Sequence, residues 1–154
     1  MKIELKNIKH YESMSEETNC FQATIYIDGK RGGEASNRGY GDPINITPYE
    51  LHKAINEYAS TLPPLDYEGM QIEQDAETLI GDLLNDWLLS QDLKKLMSGR
   101  VVFLKDSKLK QSAKLDKLRL TEVLKSNSPV FEGGTILNNL PFAEAVKIYR
   151  EFAQ

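Results

Sequence analysis

The chain has 154 residues, 40% of them apolar and 27% charged, with a net charge of −4. That length suits one domain, 1–154, able to bury a core unaided, and the balance excludes both a disordered chain and a membrane-embedded one. The single cysteine, Cys20, excludes an intrachain disulfide, and the negative charge argues against nucleic acid binding through bulk charge. No leader-like apolar stretch is visible, and pieces such as LLNDWLL are too short and too charged to span a bilayer, so a cytoplasmic location is expected.

Residues 2–9 alternate apolar and charged side chains, which predicts a half-buried strand. Residues 20–27 are the clearest strand, with Phe21, Ala23, Ile25 and Ile27 on one face. Asp28-Gly29 predicts a hairpin turn. The returning strand, about 30–37, contains Gly32 and Gly33, which suggests a bulge or an edge. A polar loop, Asn37 to Pro43, follows. Thr47, Pro48 and Glu50 read as a capping box opening a helix 48–60, with Leu51, Ile55, Tyr58 and Leu62 on its apolar stripe.

Residues 63–73 read as a loop. A helix of about 74–90 follows, continued or kinked through Ser98, with Leu79, Ile80, Leu83, Leu84, Trp87 and Leu88 on its apolar face. Residues 100–105 are apolar on both faces and predict an interior strand that joins the N-terminal hairpin. Asp106-Ser107-Lys108 is a turn, and 109–120 fits strand or helix equally. Thr121 is the expected cap of a short helix ending at Lys125. A final helix, 141–152, carries Phe142, Ala145, Val146, Tyr149 and Phe152 on its stripe. The expected fold is therefore α+β, an antiparallel sheet packed on about three helices.

Three segments, 15–43 (SEETNCFQATIYIDGKRGGEASNRGYGDP), 79–105 (LIGDLLNDWLLSQDLKKLMSGRVVFLK) and 136–152 (ILNNLPFAEAVKIYREF), resemble a family of small uncharacterised proteins scattered through bacterial genomes, phages and plasmids. The resemblance implies no activity. The scattered distribution implies a mobile-element role, such as blocking a host defence system. In that family the glycine loop often reads Gly-His-Gly-Gly, whereas here it is Gly39-Tyr40-Gly41-Asp42. The missing histidine weakens any reading of the loop as a metal or general-base site.

No matched catalytic set is present. Nothing in the spacing brings Cys20 to His10 or His52, and one cysteine with two histidines is too few for a zinc site. Asp82 and Asp86, four apart, read as a solvated helix face rather than a magnesium site. No cofactor or metal is expected. The candidate binding residues are Asn37, Arg38, Tyr40 and Asp42 in the glycine loop, where backbone N–H groups could cradle an anion, and Arg100, Lys105, Lys108 and Lys110 in a basic run. Residues 1–98 carry 9 Lys and Arg against 17 Asp and Glu, while 99–154 carry 10 against 6. Such opposite-charge halves, with a hairpin edge, allow self-association. The leading expectation is a non-enzymatic protein that acts on a protein partner, with no nucleic acid or membrane involved. The alternatives are a small-ligand or nucleotide binder using 37–42 and the basic residues, and an enzyme of a kind the sequence does not display.

Overall fold

The computed structural model describes residues 1–153 and shows an α+β protein built from antiparallel sheets and helices. Its backbone divides into two units, residues 1–85 and residues from 86 onward.

In the first unit, β1 (Ile3–His10), β2 (Phe21–Ile27), β3 (Lys30–Asn37) and β4 (Asn45–Thr47) form one sheet in chain order. Alternation decides its faces. Phe21, Ala23 and Ile25 of β2, Ala35 of β3 and Ile46 of β4 are buried, while Gln22 and Glu34 stay in water. Asp28 and Gly29, both at positive φ, make the two-residue turn whose twist suits a hairpin. Ile25 faces Gly33 and Tyr26 faces Arg31, so Gly32 is the extra residue of a bulge. β4 pairs with β3 only at Glu34–Ser36, so β3 is interior there, while Gly32 and Gly33 lie outside that pairing. Gly33 is needed for close approach: a Cβ there would collide with the Thr47 carbonyl oxygen and the Leu51 side chain.

Helix α1 (Tyr49–Ser60) buries Ile55 and Ala59. The expected capping box is not formed. Thr47 is committed to β4, opposite Glu34, and Pro48 occupies the cap position after a cis peptide bond, with no side-chain cap hydrogen bond. The expected loop at 63–73 holds a second hairpin, β5 (Leu65–Tyr67) and β6 (Met70–Ile72), turned by Glu68 and Gly69 at positive φ.

Helix α2 (Ala76–Met97) is continuous, and the unit boundary falls within it. Asp75 caps its start: one carboxylate oxygen accepts from the Thr78 N–H at 2.8 Å and from the Thr78 hydroxyl at 2.7 Å. Ala76, Ile80 and Leu84 lie on its buried face, and its residue Leu93 is buried in the second unit.

In the second unit, β7 (Val102–Lys105) is central, flanked by β8 (Lys108–Gln111) and β9 (Thr135–Ile136). The strand is interior, but it does not join the N-terminal hairpin; its partners are its own neighbours in a separate sheet. It is covered on both faces. Val102 packs with Leu93, Leu137 and Ala145, and Val101 and Phe103 pack with Leu120. The Phe103 and Phe131 rings meet edge to face at 5.0 Å. Helix α3 (Lys117–Lys125) starts earlier than Thr121. Asp116 is the cap and accepts from the Arg119 N–H, whereas the Thr121 hydroxyl bonds back to the Lys117 carbonyl. Helix α4 (Phe142–Phe152) buries Ala145, and Phe142 is exposed rather than on the buried stripe.

In the passage from α2 to β7 one side chain, Asn138, bridges three backbone groups. Its amide oxygen accepts from the Val102 N–H at 2.8 Å. Its amide nitrogen donates to the Arg100 carbonyl at 2.9 Å and to the Met97 carbonyl at 3.3 Å.

The Asp75 cap has a pH signature. The Thr78 hydroxyl and then the Thr78 N–H, bonded to the carboxylate, hold its pKa below the ordinary value. The folded state therefore prefers the ionised form, and the stabilisation is present above the ordinary carboxylate pKa and lost as pH falls through the lowered folded value. Asn caps about as well as Asp but does not titrate. The stability advantage of the natural chain over Asp75→Asn should hold constant from neutral pH down to the carboxylate range and shrink below it, read by urea denaturation across pH.

Candidate functional site

The loop after β3 is closed by its own side chains. Asn37 is buried and ends β3. Its amide oxygen accepts from the Thr18 hydroxyl and from the Gly39 N–H, each at 2.8 Å, and its amide nitrogen donates to the Asp42 carbonyl at 2.7 Å. The Gly39 carbonyl in turn accepts from the Glu16 N–H at 3.1 Å and the Glu17 N–H at 2.9 Å. A Cβ on Gly39 would meet the Met14 carbonyl, so the crossing of the two loops needs glycine there. The Gly41 N–H points to the Thr18 hydroxyl at 3.3 Å. The donors of Gly39 and Gly41 are thus engaged within the chain. Arg38 and Asp42, both exposed, pair with each other at 3.1 Å. Tyr40 is exposed. A hollow of about 260 Å³ lies beside Asn37, lined also by Phe21, Ile44, Glu77 and Leu84.

The basic residues of the second unit have separate surroundings. Arg100 is half-buried, and its guanidinium donates to the Ser112 carbonyl at 3.0 Å. The Lys105 ammonium donates to the Val130 carbonyl at 3.0 Å. Lys108 and Lys110 are exposed and alternate with Leu109, so both stand on the outer face of β8. The loop quartet and the basic quartet belong to different units.

Cys20 is buried, and its backbone N–H donates to the Ser15 hydroxyl at 2.8 Å. The His10 ring nitrogen lies 3.2 Å from the Asn19 amide oxygen. Asp86 pairs with Arg150 at 3.0 Å. Among the described residues no group of three or more His, Cys, Asp or Glu side chains is placed to hold a metal ion, and no helix is long and apolar enough to cross a membrane.

Two surfaces were not legible in the sequence. The first is the β5–β6 hairpin. Leu65 pairs with Ile72 and Tyr67 with Met70, which sets all four apolar side chains on one face of a two-stranded ribbon. Tyr67 is 61% exposed, Met70 62% and Ile72 42%, so the face is uncovered. Exposed acids surround it at Asp66, Glu68 and Glu73, and no Lys or Arg occurs between Lys53 and Lys94. The second is a cleft of about 570 Å³ in the second unit, bounded by Asp92, Lys95, Leu96, Arg100, Lys114 and Tyr149. Its residues come from α2, two connecting segments and α4, so no local spacing announces it.

The chain matches no family model, and no curated protein or solved structure matches it.

The two halves of the glycine loop should respond differently to mutation. Asn37→Ala strands a buried N–H and two further partners, and should cost about 2–4 kcal/mol. Arg38→Ala removes only an exposed ion pair and should change stability by less than about 0.5 kcal/mol. Urea denaturation of both variants measures the contrast.

Proposed function

We propose that this is a non-enzymatic binding protein that works through protein–protein contact, with the outer face of the β5–β6 hairpin as the contact surface. The observation that carries the reading is the uncovered row of Tyr67, Met70 and Ile72 beside Leu65. Burying apolar area is worth about 25 cal/mol per Å², and a row this exposed leaves that free energy uncollected in the isolated chain. Aromatic and methionine side chains are also those that interface centres favour. The surrounding acids, with no nearby sequence cation, fit a partner surface that is apolar at its centre and basic at its rim. The hairpin is short and two-stranded, so docking would also order an element that is marginal alone. The proposal includes the setting that the family resemblance implies, in which the partner belongs to a host defence system.

The variant Tyr67→Ser/Met70→Ser/Ile72→Ser tests the surface. It should fold with stability within about 1 kcal/mol of the natural chain, because the three side chains face water. Affinity capture from the cells that express the protein should recover a defined partner with the natural chain, more weakly as salt rises, and lose it with the triple variant. Equal recovery by both chains, or recovery of no partner at any salt concentration, would contradict the reading.

A further inference from the structure

The cleft of the second unit has the makings of an anion site that the protein-contact reading does not use. Three of its bounding side chains are cations, Lys95, Arg100 and Lys114, against one carboxylate, Asp92. Among the described residues none of the three cations forms an ion pair. The lining therefore carries two positive charges in excess of Asp92, with Lys95 and Lys114 exposed and Arg100 half-buried at a concave site.

Arg100 and the segment that carries Lys114 are also held in place. The Arg100 N–H donates to the Leu96 carbonyl at 2.9 Å, and its carbonyl accepts from the Asn138 amide at 2.9 Å. The guanidinium is fixed by the neutral Ser112 carbonyl, which occupies a donor without cancelling the charge. The Leu115 N–H donates to the Gly99 carbonyl at 2.7 Å, which ties the segment carrying Lys114 to the end of α2. The Lys114 stem lies over Gly99, in van der Waals reach of where a Cβ would stand. Such anchoring lowers the ordering cost of binding.

The rest of the lining narrows the ligand. Leu96 and Tyr149 supply an apolar wall, and both also line a neighbouring hollow of about 200 Å³. Burial, and then the Asp92 carboxylate, push the Tyr149 phenol pKa up, so at neutral pH it remains an uncharged hydrogen-bond donor. Asp92 accepts hydrogen bonds and suits a ligand hydroxyl. The volume lies in the range of small-molecule sites.

We propose that the cleft bounded by Lys95, Arg100, Lys114 and Tyr149 binds a nucleoside phosphate, its phosphates among the three cations, its sugar hydroxyls toward Asp92 and its base against Leu96 and Tyr149.

Titration calorimetry of the full chain with the four ribonucleoside diphosphates, and with pyrophosphate for comparison, tests this. Two double variants carry equal charge loss: Lys95→Ala/Lys114→Ala in the cleft and Lys117→Ala/Lys125→Ala on the exposed side of α3. At least one nucleotide should bind one-to-one and more tightly than pyrophosphate. The cleft variant should weaken it by about tenfold or more, and the α3 variant by less than about twofold. Absence of binding by all four nucleotides overturns the proposal. So does equal weakening by both variants, which would be bulk charge alone, or pyrophosphate binding as tightly as every nucleotide.

Discussion

Backbone polar groups that leave a helix or a strand ladder inside a protein must find partners, and in this chain two asparagine side chains each supply more than one. An amide carries both an acceptor and two donors in fixed geometry, which neither a carboxylate nor a hydroxyl offers. Asn37 closes the loop after β3 by bonding Thr18, Gly39 and Asp42. Asn138 closes the passage from α2 into β7 by bonding Met97, Arg100 and Val102. Each unit thus has an irregular segment in which one asparagine side chain bridges three partners. An unpaired buried group would cost about 1–3 kcal/mol, a large part of the stability of a domain this size.

This constraint sorts the polar residues into those that hold the fold and those left for other molecules. The glycine loop looks in sequence like an anion cradle, yet the Gly39 and Gly41 donors and the Asn37 amide are engaged internally, and Arg38 and Asp42 face each other. The uncommitted resources are elsewhere. They are the apolar row of the second hairpin and the cations at the end of α2. Arg100 stands at the junction of the two roles: its backbone is bound by Asn138, and its side chain faces the cleft.

Much of the fold was legible because strong local signals agreed with the structure. Alternation gave β2 its buried face, Asp28-Gly29 its turn, and the apolar periodicity of about 74–90 most of the long helix. What failed has physical causes. The second hairpin has three-residue strands, too short for alternation to register, and only Glu68-Gly69 signals its turn. Strand β7 is apolar on both faces, a pattern that marks an interior strand without saying which sheet it enters. Thr121 has the chemistry of a cap, but Asp116 lies one turn earlier and takes the N–H of Arg119. In the candidate site, sequence identified Arg100 as a cation of interest but gave no means of joining it to Lys95, Lys114 and Tyr149, which approach only through tertiary packing.

The account turns on side-chain amides doing the work of missing backbone partners, and native-state hydrogen exchange reads that directly. The Gly39 and Glu17 amides lie outside any strand, but the Asn37 network ties both into the loop. They should exchange slowly, at rates within the range of the β2–β3 ladder amides, as should Val102, and all three should lose protection together with their own unit. Exchange of Gly39 and Glu17 at the rate of an unstructured peptide, with the ladder amides still protected, would contradict it.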